Sequence, residues 1–233
     1  MAMLTPTIPG FADITQESQQ TFRALLTALS EPGKIKEVQC PLSTPADLSL
    51  AFGAACLTLI DFETLVWLQP AFSEETKGWL RFHTGCQFTH HQKQADFALI
   101  KELGAKELDA KEIDAKEPDA LNLSAFNWGS AETPEDSTTL LLQLDSLSGG
   151  EPVTLHGPGI QTQRVISPVL PQQFWQQWAL NHDSYPTGVD CFLFQKRQVM
   201  GLPRSVQAGA VSDASSKQPM ATQTATQTTE QGG

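Results

Sequence analysis

The sequence predicts a single α/β domain built on a mixed β-sheet flanked by helices. Segments with helical periodicity alternate with short apolar runs of strand length across residues 11–206. Two late pairs of apolar runs are separated by turn sequences, which favours hairpins. Helices between strands favour parallel pairing whereas hairpins require antiparallel pairing, so both kinds are expected in the sheet. With 233 residues and 40% hydrophobic content, the chain can bury one substantial core.

The first helix is predicted from an N-cap and a helical apolar spacing. Asp13 has the position of an N-cap, with a glutamine three residues on. The helix should end at Glu31-Pro32-Gly33, because the residue before a proline avoids the α region and glycine tolerates positive φ. A strand is expected over residues 35–40. The apolar face comprises Phe22, Leu25, Leu26 and Leu29.

The next elements alternate between helix and strand. Thr44-Pro45 reads as a cap followed by proline at the first helical position, which predicts a second helix. A third helix should begin at Ser73, followed by two acidic residues that favour a helix N-terminus. Dense apolar runs predict strands over residues 65–68 and 97–100.

The C-terminal half predicts two hairpins and one helix. Apolar runs at residues 139–144 and 153–156 are separated by a turn containing Gly149-Gly150. A helix should follow Pro171. A final hairpin is expected from the apolar runs at residues 191–194 and 199–202.

Two segments stand apart from this domain. Residues 101–120 repeat a five-residue unit four times, K-E-L-G-A, K-E-L-D-A, K-E-I-D-A and K-E-P-D-A. A period of five rotates the apolar position by about 140° of helix per repeat, so no apolar stripe forms. We interpret the repeat as a solvated, partly helical insertion, with a partner-binding finger as the alternative. Residues 207–233 are polar and predict a disordered tail.

Composition excludes several function classes. The formal net charge of −11 leaves no basic stripe for nucleic acid. We find neither a signal peptide nor an apolar run long enough to span a membrane, so a cytoplasmic location is expected. The four cysteines form no metal-binding or redox motif and should be reduced, and no metal site is expected. They are Cys40, Cys56, Cys86 and Cys191.

No complete catalytic motif is present, but a few side chains are candidates. If extended, residues 81–83 would place Arg81 and His83 on one face, where they could bind an anion or an acidic partner. The alternative is a helix end at which both satisfy local acceptors. Asp190 and Arg204 flank the last hairpin and could form an ion pair. The candidate structural junctions are Glu31, Pro32, Gly33, Gly149, Gly150, Asp190 and Pro203.

Five ordered blocks together resemble the H subunits of the bacterial carbon-phosphorus lyase system, the PhnH family. The resemblance implies a fold like the large domain of pyridoxal-phosphate-dependent transferases, without that cofactor. The lysines agree with this expectation because they lie in polar contexts, unsuited to a sheltered Schiff base. The blocks are Phe22 to Gly33, Leu65 to Leu68, Leu80 to Thr84, Ser146 to Gly150 and Gly188 to Arg204.

The resemblance also implies a function. Subunits of this kind work with subunits G and I, and functionally L, to form α-D-ribose 1-methylphosphonate 5-triphosphate from ATP and methylphosphonate. They also join a core complex with J, the radical lyase, and a homodimer is implied for the isolated chain. We expect a subunit without a complete active site of its own. The alternatives are a shared phosphonate or triphosphate site using Arg81, His83 and Arg204, or an independent small-molecule enzyme.

Overall fold

The computed structural model describes residues 8–101, 103 and 121–210. The helices in this part of the chain are α1 (Ile14–Ser30), α2 (Leu50–Leu59), α3 (Glu74–Thr84) and α4 (Gln172–Asp183). The strands are β1 (Ile35–Glu37), β2 (Leu65–Leu68), β3 (Gln87–Thr89), β4 (Phe97–Ile100), β5 (Thr139–Gln143), β6 (Val153–His156), β7 (Arg164–Ile166), β8 (Asp190–Gln195), β9 (Gln198–Leu202) and β10 (Gln207–Ala210).

The strands form two sheets. The larger has seven strands in the order β1-β9-β8-β5-β4-β2-β3. Strands β8, β5, β4, β2 and β3 are parallel, whereas β9 is antiparallel to β8 and to β1. The smaller sheet is antiparallel, in the order β10-β6-β7. The predicted fold class, a mixed α/β domain with helices flanking a mixed sheet, is confirmed.

The central strands of the seven-stranded sheet, β4, β5 and β8, are buried on both faces. Along β5, Leu141 packs into a cluster with α1, α2 and α3, while Leu140 and Leu142 join the opposite cluster with α4 and the small sheet. All three are fully buried. Strands covered on both faces read as continuous apolar runs rather than alternating ones, which explains the density of the L-L-L sequence.

Several predicted boundaries are confirmed. The Asp13 side chain accepts a hydrogen bond from the Gln16 amide at 2.9 Å and so caps α1. Glu17, not Gln16, reaches back to the Asp13 amide, at 3.2 Å. The third helix is capped by Ser73, and β8 and β9 form the predicted final hairpin.

Two predictions are wrong, one about the start of α2 and one about the pairing of two strands. Helix α2 begins at Leu50 rather than Pro45, because the intervening residues form a turn in which Leu48 donates to the Pro45 carbonyl at 3.0 Å. The segments at 139–144 and 153–156 do not form a hairpin. Strand β5 belongs to the large sheet and β6 to the small one, so Gly149-Gly150 connects two sheets instead of reversing one.

The predicted apolar face of α1 is only partly buried. Leu25 faces the core at 2% exposure, whereas Phe22 is 50% exposed and Leu26 56%. The boundary of the polar tail also moves, because residues 207–210 pair with β6 as strand β10. The rest of the tail and most of the repeat lie outside the described residues. Within the described part of the chain, no helix is long and apolar enough to cross a bilayer.

Candidate functional site

Asp190 and Arg204 form the expected ion pair at the ends of the last hairpin. Asp190 opens β8, and Arg204 lies two residues beyond β9. The Arg204 amide donates to Asp190 Oδ1 at 2.7 Å, and its Nε and Nη2 donate to Oδ2 at 3.1 and 2.6 Å. Both side chains are mostly buried. Main chain and side chain therefore hold the same carboxylate.

The remaining donors of Arg204 are also occupied. Its Nη1 donates to the carbonyl oxygens of Pro134 at 2.8 Å and Pro186 at 3.4 Å, and its Nη2 also donates to Ser137 Oγ. A guanidinium has five N–H donors, and all five meet protein acceptors here. This arrangement indicates that Arg204 connects loops of the domain and has no donor free for a ligand.

Arg81 and His83 lie in the last turn of α3, so the extended arrangement that would place them on one face is not formed. Residues two apart on a helix point about 200° from each other and do not share a face. The Arg81 guanidinium carbon lies 5.2 Å from the centroid of the Phe88 ring on β3. Arg81 therefore makes a cation–π contact with a strand at the edge of the sheet.

His83 holds the N-terminal segment of the domain. Its Nε2 lies 3.1 Å from the Ile8 carbonyl oxygen, and Trp79 Nε1 donates to the same oxygen at 3.2 Å. A carbonyl oxygen only accepts, so the hydrogen is on Nε2. His83 thus resembles the alternative weighed from the sequence, a helix-end histidine that satisfies a backbone carbonyl.

The structure does not bring the three candidate residues together. Arg81 contacts β3 at one edge of the seven-stranded sheet and His83 lies on the same helix, whereas Arg204 binds Asp190 on β8, four strands away in the sheet order. Neighbouring strands lie about 4.8 Å apart, so the two places are separated by roughly 19 Å across the sheet. Each is held by its own local partners instead. A single anion-binding cluster made by all three is not present in this conformation.

The Glu31-Pro32-Gly33 junction is held from both sides. Lys34 Nζ donates to one Glu31 carboxylate oxygen at 2.5 Å, and Lys36 Nζ donates to the other. The hydrogen bond from Lys34, followed by that from Lys36, lowers the pKa of Glu31 to about 2. Glu31 therefore fastens the turn from α1 into β1.

Arg164 of β7, which the sequence analysis did not single out, binds the other side of this junction. Its Nη1 donates to the carbonyl oxygen of Glu31 at 3.2 Å and to that of Pro32. Gly33 has φ of +77°, and a Cβ there would lie 2.9 Å from Leu155 Cδ1. The small sheet therefore packs directly on the turn, which explains why a glycine is needed.

The Gly149-Gly150 junction is a docking point between loops. The Gly150 amide donates to the Ser167 carbonyl at 2.8 Å, and the Gly149 amide to Ser167 Oγ at 3.3 Å. A Cβ on Gly150 would overlap the carbonyl oxygen of Pro168. These glycines permit close backbone approach and show no phosphate-binding geometry, since no helix N-terminus follows them.

Asn181 is a second residue that the sequence analysis missed. It is fully buried on α4, where its Nδ2 donates to the Val189 carbonyl at 3.0 Å and its Oδ1 accepts from the Val189 amide at 2.7 Å. The signal was available, because Asn181 continues the buried stripe of Phe174 and Trp178 on α4. Pro203 ends this region in a turn, accepting from the Val206 amide at 2.9 Å.

A polar cluster lies at the carboxyl end of β4, where α/β sheets commonly place ligands. Asp47 accepts from the Ser73 amide at 2.8 Å, from Thr76 Oγ1, and from Lys101 Nζ at 3.4 Å. Burial alone would raise the pKa of Asp47, but these hydrogen bonds and the Lys101 charge leave it lowered. The acid is thus satisfied within the protein, and the start of the repeat is attached here.

The cysteines carry no activated thiol. All four are buried. Burial raises the pKa of Cys56 and Cys191 well above the ordinary thiol value, and raises that of Cys40 and Cys86 to a lesser degree. A raised thiol pKa disfavours the thiolate that a nucleophile requires.

The fold and these contacts define a mixed α/β domain whose distinctive sequence blocks mostly join one element to another. The sequence profile of the family described as bacterial phosphonate metabolism protein (PhnH) matches residues 9–209. The chain belongs to that family.

Two curated relatives match most of this chain. One is the α-D-ribose 1-methylphosphonate 5-triphosphate synthase subunit PhnH of Rhizobium meliloti (strain 1021), 35% identical over 198 residues, covering 84% of this chain and 92% of the relative. The other is HtxG of Stutzerimonas stutzeri, named as a candidate C-P lyase subunit protein. It is 27% identical over 191 residues, covering 80% of this chain and 83% of HtxG.

Proposed function

We propose that this chain is an assembly subunit of a carbon-phosphorus lyase system. In this role it supports formation of α-D-ribose 1-methylphosphonate 5-triphosphate from ATP and methylphosphonate without a complete active site of its own. Family membership and the names of both relatives support this role. The partners we propose are subunits G, I and J, with L acting functionally, and a homodimer for the isolated chain. A cytoplasmic location and the likeness to pyridoxal-phosphate-dependent transferases stay predictions.

The observation that supports an assembly role is that the candidate polar side chains bind within the domain while large apolar side chains are exposed. Arg204, Asp190 and Glu31 bind other parts of the same chain. Large apolar side chains meanwhile lie on the surface, with Phe22, Phe62 and Phe82 each half exposed or more. Exposed aromatic side chains are enriched at protein interfaces, whereas catalytic sites need free polar groups aimed at a substrate.

Co-purification tests the proposal. The tagged full-length chain is co-expressed with subunits G, I and J of the same source, and the eluate is separated by size exclusion with light scattering. We expect a stable complex of fixed stoichiometry, and a homodimer when the chain is expressed alone. A chain that elutes separately from all three subunits would overturn the assembly role and favour an independent enzyme.

A shared phosphonate or triphosphate site is the second candidate, and Arg81 supports it. Among the described residues its guanidinium contacts the Phe88 ring and no carboxylate, so its charge is not neutralised locally. Arg81→Ala should then lower the activity of the assembled enzyme while leaving the melting temperature of the isolated chain unchanged. His83→Ala is a useful comparison, since His83 binds the Ile8 carbonyl and should affect stability first. Full activity with Arg81→Ala would exclude this candidate.

A further inference from the structure

Helix α1 presents an apolar ridge to the outside of the domain. Ile14, Phe22 and Leu26 lie on one line of residues spaced four apart, and they are 72%, 50% and 56% exposed. The missing member of the line is Ser18, a small residue between Ile14 and Phe22. Residues spaced by four form the ridges that pack into the grooves of a second helix. The ridge is therefore shaped for a helix that the described residues do not supply.

A shallow concavity lies beside Ser18. It has a volume of about 280 Å³ and is open to the surface. Its lining comes from both α1 and α2 and comprises Ser18, Gln19, Phe22, Arg23 and Thr58. The small side chain of Ser18 leaves room for a side chain entering between the two helices.

Arg23 is the cation of this surface. Residues 14–30 contain one other charged side chain, Glu17, which is buried. Among the described residues no ion pair or side-chain hydrogen bond engages the Arg23 guanidinium. The exposed acid next to the ridge in sequence is Asp13, whose carboxylate caps α1 by accepting from the Gln16 amide. In a chain of net charge −11, an apolar ridge whose own charge is one unpaired arginine is a locally distinct surface.

We propose that the α1 ridge, defined as Ile14, Ser18, Phe22, Arg23 and Leu26, binds an amphipathic helix of a partner subunit. That helix presents apolar side chains to Phe22 and Leu26 and a carboxylate to Arg23. This inference rests on the proposed assembly function and names the surface that carries it. Helix-in-groove recognition uses apolar anchors at this spacing, and an arginine fork suits a carboxylate.

A second copy of the chain fits this surface less well. In a two-fold contact the same patch faces itself, so both Arg23 side chains would enter one interface. Residues 14–30 offer no exposed acid to pair with either, and the exposed Asp13 before them is already engaged as the N-cap of α1. Covering two unpaired arginines costs free energy, whereas a partner with a carboxylate satisfies the charge. Charge complementarity therefore selects a different, acidic partner.

The experiment compares capture of subunits G, I and J by the unaltered full-length chain and by three variants. The first variant is Phe22→Ala with Leu26→Ala, and the second is Arg23→Glu. The third is the matched control Leu180→Ala, which removes an apolar side chain that is 63% exposed on α4. All replaced side chains are at the surface, so each variant should keep the wild-type melting temperature.

We expect the double alanine variant to weaken capture at least about tenfold, as loss of central anchors does in protein interfaces. Arg23→Glu should weaken capture more at low salt than at high salt, because it places like charges opposite each other and salt screens their repulsion. Leu180→Ala should capture the subunits normally. Equal capture by all variants would overturn the α1 surface while leaving the assembly role intact.

Two other outcomes also count against the proposal. If the unaltered chain captures no subunit, the assembly role falls and its docking surface with it. If the isolated chain forms a dimer that Phe22→Ala with Leu26→Ala dissociates, while subunit capture is unimpaired, the surface belongs to a second copy. Light scattering of the isolated variants separates these two results.

Discussion

The side chain of Asn181 and the main chain of Val189 are joined by two hydrogen bonds, one in each direction, inside the domain. The amide of Asn181 thus acts as a peptide group would in a neighbouring strand. It satisfies both polar groups of Val189 just before β8 begins. This contact fixes the entrance of the strand against α4, and Gly188 leaves the space it needs, since a Cβ there would lie 2.7 Å from Asn181 Oδ1.

Replacing Asn181 with alanine should destabilise the domain strongly. The change leaves the amide and carbonyl of Val189 buried without these partners, which costs about 2–4 kcal/mol. For a chain of this size the melting temperature should fall by roughly 5–15 °C. Thermal unfolding followed by circular dichroism measures the shift. Gln176→Ala, at an exposed position of the same helix, is the control and should change little. A loss below about 0.5 kcal/mol for Asn181→Ala would contradict this role.

The main effect of Arg204→Ala should be a loss of stability. It removes five side-chain hydrogen bonds and leaves Asp190, which is mostly buried, without its counter-charge. Breaking such a pair from one side costs about 3–5 kcal/mol when it is well buried, and about 2–4 kcal/mol is expected at this partial exposure. Urea unfolding measures the change in the free energy of unfolding.

A double-mutant cycle separates the pair from its surroundings. Asp190→Asn combined with Arg204→Ala should cost less than the sum of the single changes, because the two groups are in direct contact. Arg23→Ala removes an exposed arginine and is the control. If Arg204→Ala unfolds like the wild type yet abolishes activity of the assembled enzyme, Arg204 is an anion-binding group and not a structural one.

The parts of the fold set by neighbouring residues could be predicted from sequence. The N-cap at Asp13 and the β8–β9 hairpin depend on local turn chemistry, and the hairpin brings Asp190 beside Arg204, so that pair was also predictable. The contact of Arg164 with Pro32 was not, because 132 residues separate them and no local pattern signals it. Gly149-Gly150 gave a wrong hairpin prediction, because glycines are equally suited to a hairpin turn and to a connection between two sheets.

The arrangement of Arg81 and His83 was harder to predict for a similar reason. Alternation of Arg81 and His83 suggested a shared face only if the segment was extended, and the N-cap at Ser73 instead carries a helix through both. The apolar spacing also could not predict that Phe22 is exposed. Spacing identifies an apolar stripe but not its width, and only the packing of α1 on β9 and α2 shows which edge of the stripe is left outside.

Glu31 should make stability depend on pH in the acid range. Its pKa is lowered from 4.5 to about 2 by the hydrogen bonds from Lys34 and Lys36. A carboxyl group with a depressed pKa stabilises the folded state above its unfolded pKa, and this contribution is lost as the pH falls through the folded value. Stability attributable to Glu31 should therefore be complete above about pH 5 and disappear towards pH 2.

The measurement is urea unfolding between pH 2 and 6 for the wild type and Glu31→Gln. The difference between them should shrink as the pH falls, and added salt should reduce it because both lysine partners are partly exposed. Glu74→Gln is the control, since its ion pair with Lys77 lies at 3.5 Å on the surface and its loss should matter little. A pH-independent difference would exclude the proposed electrostatic contribution of Glu31.

Lys101, at the start of the pentapeptide repeat, should contribute to the stability of the domain, whereas residues 104–120 should not. Its Nζ lies 3.4 Å from Asp47 Oδ2 and 5.0 Å from the centroid of the Phe72 ring, and both groups of the ion pair are largely buried. Replacing residues 104–120 with a short Gly-Ser linker should leave the melting temperature and subunit capture unchanged, since the entropy of closing a connection depends only weakly on its length.

A deletion of residues 101–120 with the same linker should cost about 1–2 kcal/mol, because it leaves Asp47 without its cation, removes the cation–π contact and removes Leu103 from its packing against the core. Lys101→Met, which removes the charge alone, should account for most of that loss. Differential scanning calorimetry of the three variants measures it. If both deletions unfold alike, Lys101 contributes nothing to the fold. If the shorter deletion abolishes subunit capture while the domain stays folded, the repeat itself binds a partner and is not a passive insertion.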